Sequence, residues 1–325
     1  MVIDPAARST DGESVRIAKD VLCAGAAAKI CLPDGPEEYA RALARRGHRR
    51  PVVIGDDHAL LRAVALLHKE RDLAGVALAV VPVGAPGTVE LTRALGVPTD
   101  TVAAARAVLD GTDHSLHLLT DDSDGIVLGG LDIPSGTEAG GRLRHRKRFG
   151  RPRLPRPRAG SEATAHDTAA HHTAAHDAAG PPAPGAGPGA DARPDRPAVW
   201  WHAPLRTARA ALALLTARTR PAAAGRPVTP GHRLRVEADG VVLADLDRPV
   251  RWVSVTPGDS DDGTGLAEVV VHWQEAEPPV RARARAVTVS GADFRYRADV
   301  VVGGPVRTRT WTVHPDAWRL TLPHD

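Results

Sequence analysis

Along the first 130 or so residues, short apolar runs alternate with segments whose apolar positions recur at helical spacing. The runs at 1–3, 29–32, 52–55 and 76–83 predict strands. The segments at 12–24, 36–46, 57–71, 87–95 and 99–109 predict helices. Strands this apolar on both faces belong in a mainly parallel sheet covered by helices, and ligands of such sheets bind beyond the C-terminal ends of the strands. In the stretch PVVIGDDHALLRAV, the turn holding Asp56 and Asp57 lies at such an end.

From about residue 140 the pattern is lost. The run RLRHRKRFGRPRLPRPR, residues 142–158, is dense in arginine and has no acid, and it passes into an Ala/His repeat and then Pro/Gly/Ala. Such compositions bury too little apolar surface to offset the entropy of ordering them, so residues 138–197 are predicted to be a disordered insertion. His172 and His176 could share a helix face and, with His166 and His171, hold a metal. Drift of a low-complexity repeat is the simpler account, since no supporting second shell is evident. Beyond the insertion, WWHAPLRTARAALALLTA predicts a helix that opens on Trp200 and Trp201. The remainder reads as strands, several with period-2 alternation: a hairpin around Asp239-Gly240, then runs at 251–257, 265–274, 280–291, 294–303, 306–313 and 318–323. The predicted architecture is an α/β domain over 1–137, the insertion over 138–197, and a helix plus β-sandwich over 198–325.

Charge and composition narrow the picture. The 325 residues carry 42 Lys and Arg against 39 Asp and Glu, so the chain is no polycation. The basic run could dock on anionic headgroups or serve as a solvated linker; with Phe149 as its lone aromatic it is a poor nucleic-acid platform. Two cysteines, Cys23 and Cys31, make neither a disulfide framework nor a paired-cysteine metal site. The opening residues lack the apolar core of a signal peptide, and no stretch approaches the about 20 apolar residues of a membrane span. The expectation is a cytoplasmic protein, with any membrane contact peripheral, at the inner surface.

Local sequences then carry a resemblance. Val2-Ile3-Asp4-Pro5-Ala6-Ala7 is similar to a strand entering Asn-Pro-x-Ser-Gly, with Asp4 in place of the Asn. Gly55-Asp56-Asp57-His58-Ala59 stands where a Gly-Gly-Asp-Gly-Thr turn would stand. VVPVGAPGTVELTRALGVP resembles Pro-x-Gly-Thr-x-Asn-Asp followed by a helix and Leu-Gly-Val-Pro: Gly84, Gly87 and Thr88 are kept, and Val89-Glu90 replaces the Asn-Asp pair. Asp262-Gly263 matches an Asp-Asp-Gly segment, Asp299 matches the first residue of an Asp-Gly-Glu strand end, and PDAWRLTLP resembles the closing strand. In order and spacing these motifs resemble the diacylglycerol kinase catalytic-domain family of soluble lipid kinases, across nearly the whole chain outside the insertion.

The resemblance implies an ATP- and Mg²⁺-dependent transfer of a phosphoryl group to a lipid hydroxyl. It implies catalytic roles for Asp57 and Asp299, the latter as general base, a nucleotide site at Gly55, Asp56, His58, Gly84, Gly87, Thr88 and Glu90, and a metal ligand at Asp262. The substitutions weaken that chemistry. Glycines let backbone N–H groups approach phosphates, whereas Asp56 adds a carboxylate, and each like-charge pair at about 4 Å costs roughly 4 kcal/mol. His58 adds bulk and Ala59 removes a hydroxyl. Two functions therefore stand open: a weak or inactive kinase of this type, with ATP and Mg²⁺ as cofactors if it is active, or a cofactor-free pseudokinase that binds a lipid, a membrane surface or a protein partner. Plain structural roles are also open. Asp56 and Asp57 could be a helix N-cap and first-turn acid, Gly84 and Gly87 turn residues, and Asp262 a turn residue.

Overall fold

The computed structural model of the protein describes residues 1–134, 231–259 and 263–324. The basic run, the histidines of the predicted insertion, Trp200 and Trp201 with the helix predicted after them, and Asp262 lie outside these residues.

The apolar runs build a parallel sheet of β1 (Val2–Ile3), β2 (Val52–Gly55) and β3 (Ala77–Pro82), with β2 in the middle. Residues 29–32 do not become the strand predicted for them. Beside them β1 is two residues long, and Cys31 makes one isolated bridge to Val2. The helices are α1 (Pro5–Thr10), α2 (Gly12–Gly25), α3 (Pro36–Ala44), α4 (Asp57–Lys69), α5 (Glu90–Ala94) and α6 (Thr101–Asp110). At six residues α1 is too short to show a helical period; an aspartate N-cap and a proline in its first turn define it instead. Aspartates also cap α2 and α6, through Asp11 on Ser14 N and Asp100 on Ala103 N.

Two apolar layers sandwich the parallel strands. Tyr39 and Leu43 of α3 pack with Leu60, Val64 and Leu67 of α4 in one core, and Ala18 and Leu22 of α2 pack with Ala104, Ala105 and Val108 of α6 in another. Each fully buried Leu in such a layer contributes about 2 kcal/mol against exposure.

The rest is antiparallel. β4 (Thr112–Asp121), β5 (Ile126–Val127) and β6 (Leu131–Ile133) lead to the undescribed segment. After it come β7 (Leu234–Ala238), β8 (Val241–Ala244), β9 (Val250–Pro257), β10 (Ala267–Trp273), β11 (Val280–Ala284), β12 (Ala286–Ala298) and β13 (Val301–Leu322). Their inward positions, among them Val236, Val253, Val255, Val269, Val271 and Trp311, form a third core. The turn joining β7 to β8 sets Asp239 at φ 48° and Gly240 at φ 82°, as the Asp-Gly signal predicts for a hairpin.

The fold class is thus the one legible in the sequence: parallel strands and helices first, an antiparallel strand-rich part after. Its seam is β13. Two strands are predicted where one long strand exists, which pairs with β12 over its first half, with β4 over its second, and with β3 through Arg319 and Leu320. Pro315 does not stop it, because the register shifts between His314 and Trp318 at that point. Among the described residues, strand order from β1 to β11 is continuous through this element.

Candidate functional site

β2 delivers Gly55 to a corner that has no room for a side chain. A Cβ there would stand 2.7 Å from the Ala59 Cβ and 2.9 Å from the Asp4 Cβ. The chain then turns into α4 with Asp56 extended, at φ −88° and ψ −174°, and its Oδ1 accepts the Ala59 N–H at 3.0 Å. Asp56 is therefore the N-cap of α4, the plain role open to it. Its carboxylate occupies the helix N-terminus, the position at which a phosphate would find free donors. His58 is 58% exposed and sets its Nδ1 3.8 Å from Asp56 Oδ2.

Asp57 does something else. It is fully buried, and its two oxygens accept the N–H groups of Leu91 at 2.8 Å and Thr92 at 2.9 Å. Those groups belong to the first turn of α5, so the acid at the start of α4 caps the neighbouring helix. Burial pushes its pKa up, the Thr92 and Leu91 donors pull it down, and the charge of Asp56 raises it further.

The second predicted loop meets the first. At Gly84 a Cβ would stand 2.5 Å from Thr88 Oγ1 and 3.4 Å from the Asp56 Cβ, so this glycine lets the two turns touch. Thr88 spends its hydroxyl on Ala85 O at 3.0 Å, within a single 3₁₀ turn. Around Gly87 there is open space, and Glu90 begins α5.

Asp299 arrives from the far end of the chain. It lies in the two-residue turn between β12 and β13 at φ 51°, a backbone region that a non-glycine residue enters at a cost. Three backbone donors hold it there: Leu128 N at 2.8 Å, Gly129 N at 2.7 Å and Gly130 N at 3.1 Å. It is 2% exposed, and burial outweighs those donors, lifting its pKa to about 6, with a further push from the charge of Asp57. The fold thus brings Asp57, Asp56, Gly84 and Asp299 to one region.

Sequence reasoning passed over Arg62, Tyr39 and the Leu128–Gly130 backbone, and gave Asp4 no role beyond its place in a motif. Asp4 caps α1 through Ala6 N at 2.9 Å and accepts Arg62 Nη1 at 2.7 Å. Arg62 also lies 5.3 Å from the centroid of the Tyr39 ring, and the Tyr39 hydroxyl donates to Ala59 O at 3.1 Å. The Leu128–Gly130 backbone forms a nest of donors of the kind that cradles anions. The Gly129-Gly130 pair was the one signal that could have located it.

Among the described residues, those of this corner do not fit a magnesium triphosphate. The α4 N-terminus is capped by the chain's own carboxylate, Asp57 and Asp299 are engaged by backbone donors, and the arginine of this corner is paired with Asp4. Among the described residues no group of three or more His, Cys, Asp or Glu side chains could hold a metal ion.

No family sequence model matches the chain, and no curated protein matches it in sequence. Solved structures do resemble it. Two, described as "a putative diacylglycerol kinase" from Bacillus anthracis, superpose with a TM-score of 0.57 at 10% identity, covering 99% of this chain and 95% of theirs. A third, described as a diacylglycerol kinase from the same organism, gives 0.55 at 10% identity with the same coverage. At that identity the likeness is one of fold.

Proposed function

We propose that this chain is a protein of the diacylglycerol-kinase-like lipid kinase type whose nucleotide turn is closed by its own aspartate, and that it acts as a pseudokinase, a lipid-binding module without phosphoryl transfer. One observation carries the reading: Asp56 Oδ1 sits on the Ala59 N–H at the start of α4, where a phosphate would have to enter. A triphosphate brought to that cap meets a carboxylate, at a cost of roughly 4 kcal/mol for each charge pair at about 4 Å. The fold shared with the Bacillus structures supports the lipid-kinase type. Support for a lipid partner comes from Val301 and Val302, which are 52% and 47% exposed immediately after the Asp299 turn. No helix among the described residues is long and apolar enough to cross a membrane, so the contact with lipid is a peripheral one in this reading.

Calorimetric titration with Mg-ATP tests it. The wild type is expected to be silent, and the triple variant Asp56→Gly, His58→Gly, Ala59→Thr to bind. Micromolar to low-millimolar binding by the wild type overturns the reading.

A second reading, an active lipid kinase using ATP and Mg²⁺, is favoured by the convergence of Asp57 and Asp299 from opposite ends of the chain. Wild-type phosphorylation of a diacylglycerol or sphingoid base, abolished by Asp299→Asn, would establish it.

A further inference from the structure

The outer face of the antiparallel part carries a second polar cluster that the reading above does not use. The alternation that buries Val253 and Val255 on β9, Ile133 on β6 and Val269 and Val271 on β10 turns Trp252, Ser254, Asp132 and His272 to the other side. In register, Trp252 lies opposite His272, Asp132 lies between Ser254 and Arg297, and Val270 lies between Ser254 and Arg281. The β9–β10 ladder bulges between His272 and Trp273, leaving Arg251 without an opposite residue. Such bulges re-aim side chains.

The cluster is ordered from within. The Trp252 and His272 rings stack at 4.6 Å between centroids and 26° between planes. The Trp252 Nε1 donates at 2.9 Å to Asp132, which is 8% exposed. His272 sits near Arg281 and Arg251; burial first, then those two charges, press its pKa down. Arg297 lies near enough to Asp132 to act on its charge. Arg281 is paired with Glu268 at 2.9 Å across an exposed strand pair, an interaction worth less than about 1 kcal/mol and easily exchanged. Among the described residues Arg251 and Arg297 have no carboxylate partner within ion-pair distance. The face therefore sets three guanidinium groups and a stacked imidazole against the carboxylates of Asp132 and Glu268, an excess of one positive charge.

We propose that this face binds a phosphate group, held between Arg251 and Arg281 with His272, stacked on Trp252, as the third partner. Guanidinium forks match phosphate oxygens as they match carboxylates and are weakly hydrated, and a phosphate dianion brings more charge than Glu268 and can engage both arginines, so the exchange is favourable. The phosphate can be free or carried on a lipid headgroup, and the site is independent of the α4 corner.

The test uses the full chain with ¹³C-labelled histidine, the His272 signal being the one lost in His272→Gln. At constant ionic strength, inorganic phosphate is expected to raise the His272 titration midpoint by about one pH unit, because a nearby anion favours the protonated ring. The double variant Arg251→Gln, Arg281→Gln, checked for an unchanged melting temperature, is expected to start from a higher midpoint and not respond. In a parallel arm the protein is sedimented with vesicles of phosphatidylcholine with and without phosphatidic acid. A response to inorganic phosphate assigns a soluble ligand. Sedimentation that needs phosphatidic acid and is lost in the double variant, without a response to inorganic phosphate, assigns a headgroup. No response in either arm, or responses that survive in the double variant, overturns the proposal.

Discussion

Burial first, and then the charge of Asp57, raises the pKa of Asp299: two buried carboxylates, one at the start of α4 and one in the β12–β13 turn, lie near enough for one to act on the other. Each is held by backbone N–H groups of a third segment, Asp57 by α5 and Asp299 by Leu128–Gly130. The same geometry that makes them candidates for chemistry makes them structural clamps, and the two roles predict different measurements.

The pH dependence of stability should carry the signature of Asp299. Its folded pKa, about 6, lies above the ordinary carboxylate value of 3.8, so the folded state holds the proton more tightly than the unfolded state. Stability therefore rises as pH falls from 7 through 6 towards 4, with about 1 kcal/mol gained by pH 5. Urea unfolding of wild type and Asp299→Asn at pH 7 and pH 5 checks this. Equal pH dependence in both proteins would remove Asp299 from the account.

Asp57→Asn replaces one acceptor oxygen with an amide that faces an N–H donor of α5. The expected loss is about 2 kcal/mol, seen as a lower urea midpoint at unchanged slope. A midpoint equal to wild type would mean that α5 is held by other contacts.

Arg62→Ala leaves Asp4, whose side chain is 5% exposed, without its cation. Complete burial of such a pair would make the loss about 3–5 kcal/mol, but Arg62 is 40% exposed and solvent screens it. A loss of about 1 kcal/mol is expected, with Arg62→Lys recovering part of it, both read from thermal or urea unfolding.

Gly130→Ala should be the most damaging of these changes. Gly130 has φ 152°, and an added Cβ would stand 2.8 Å from Thr256 Cγ2 and 3.1 Å from Val255 O. A loss of about 2–3 kcal/mol follows from the backbone and the clash together. Because the Gly130 N–H is one of the donors that hold the Asp299 pKa down, weakening it should enlarge the acid-side stabilisation described above in the same variant.

Much of this molecule was legible in its sequence where periodicity is long. α2, α4 and α6 and strands β2, β3, β9 and β10 lie within a few residues of their predicted spans. The misses have identifiable causes. α1 is shorter than two turns, and β4 was not singled out, because His114, Ser115 and His117 break up its apolar run. β13 looked like two strands because Pro315 interrupts a pattern that the structure bridges with a bulge. At the candidate site, the positions of Asp56 and Asp299 could be read from local motifs, and Asp56 as a helix cap was among the roles left open. That Asp57 caps a different helix, that Arg62 reaches Asp4, and that a Gly-Gly backbone seats Asp299 are long-range facts to which no local pattern points.

β13 also fixes when the fold can be finished during synthesis. β3 gains its second neighbour when Arg319 and Leu320 align beside Ala77 and Leu78, and Trp318 completes the core that α3 and α4 line. While the chain emerges from a ribosome, the parallel sheet must wait with one edge open until almost the whole of this sequence has been translated. A nascent chain stalled before β13 would present that edge to chaperones and to other nascent chains.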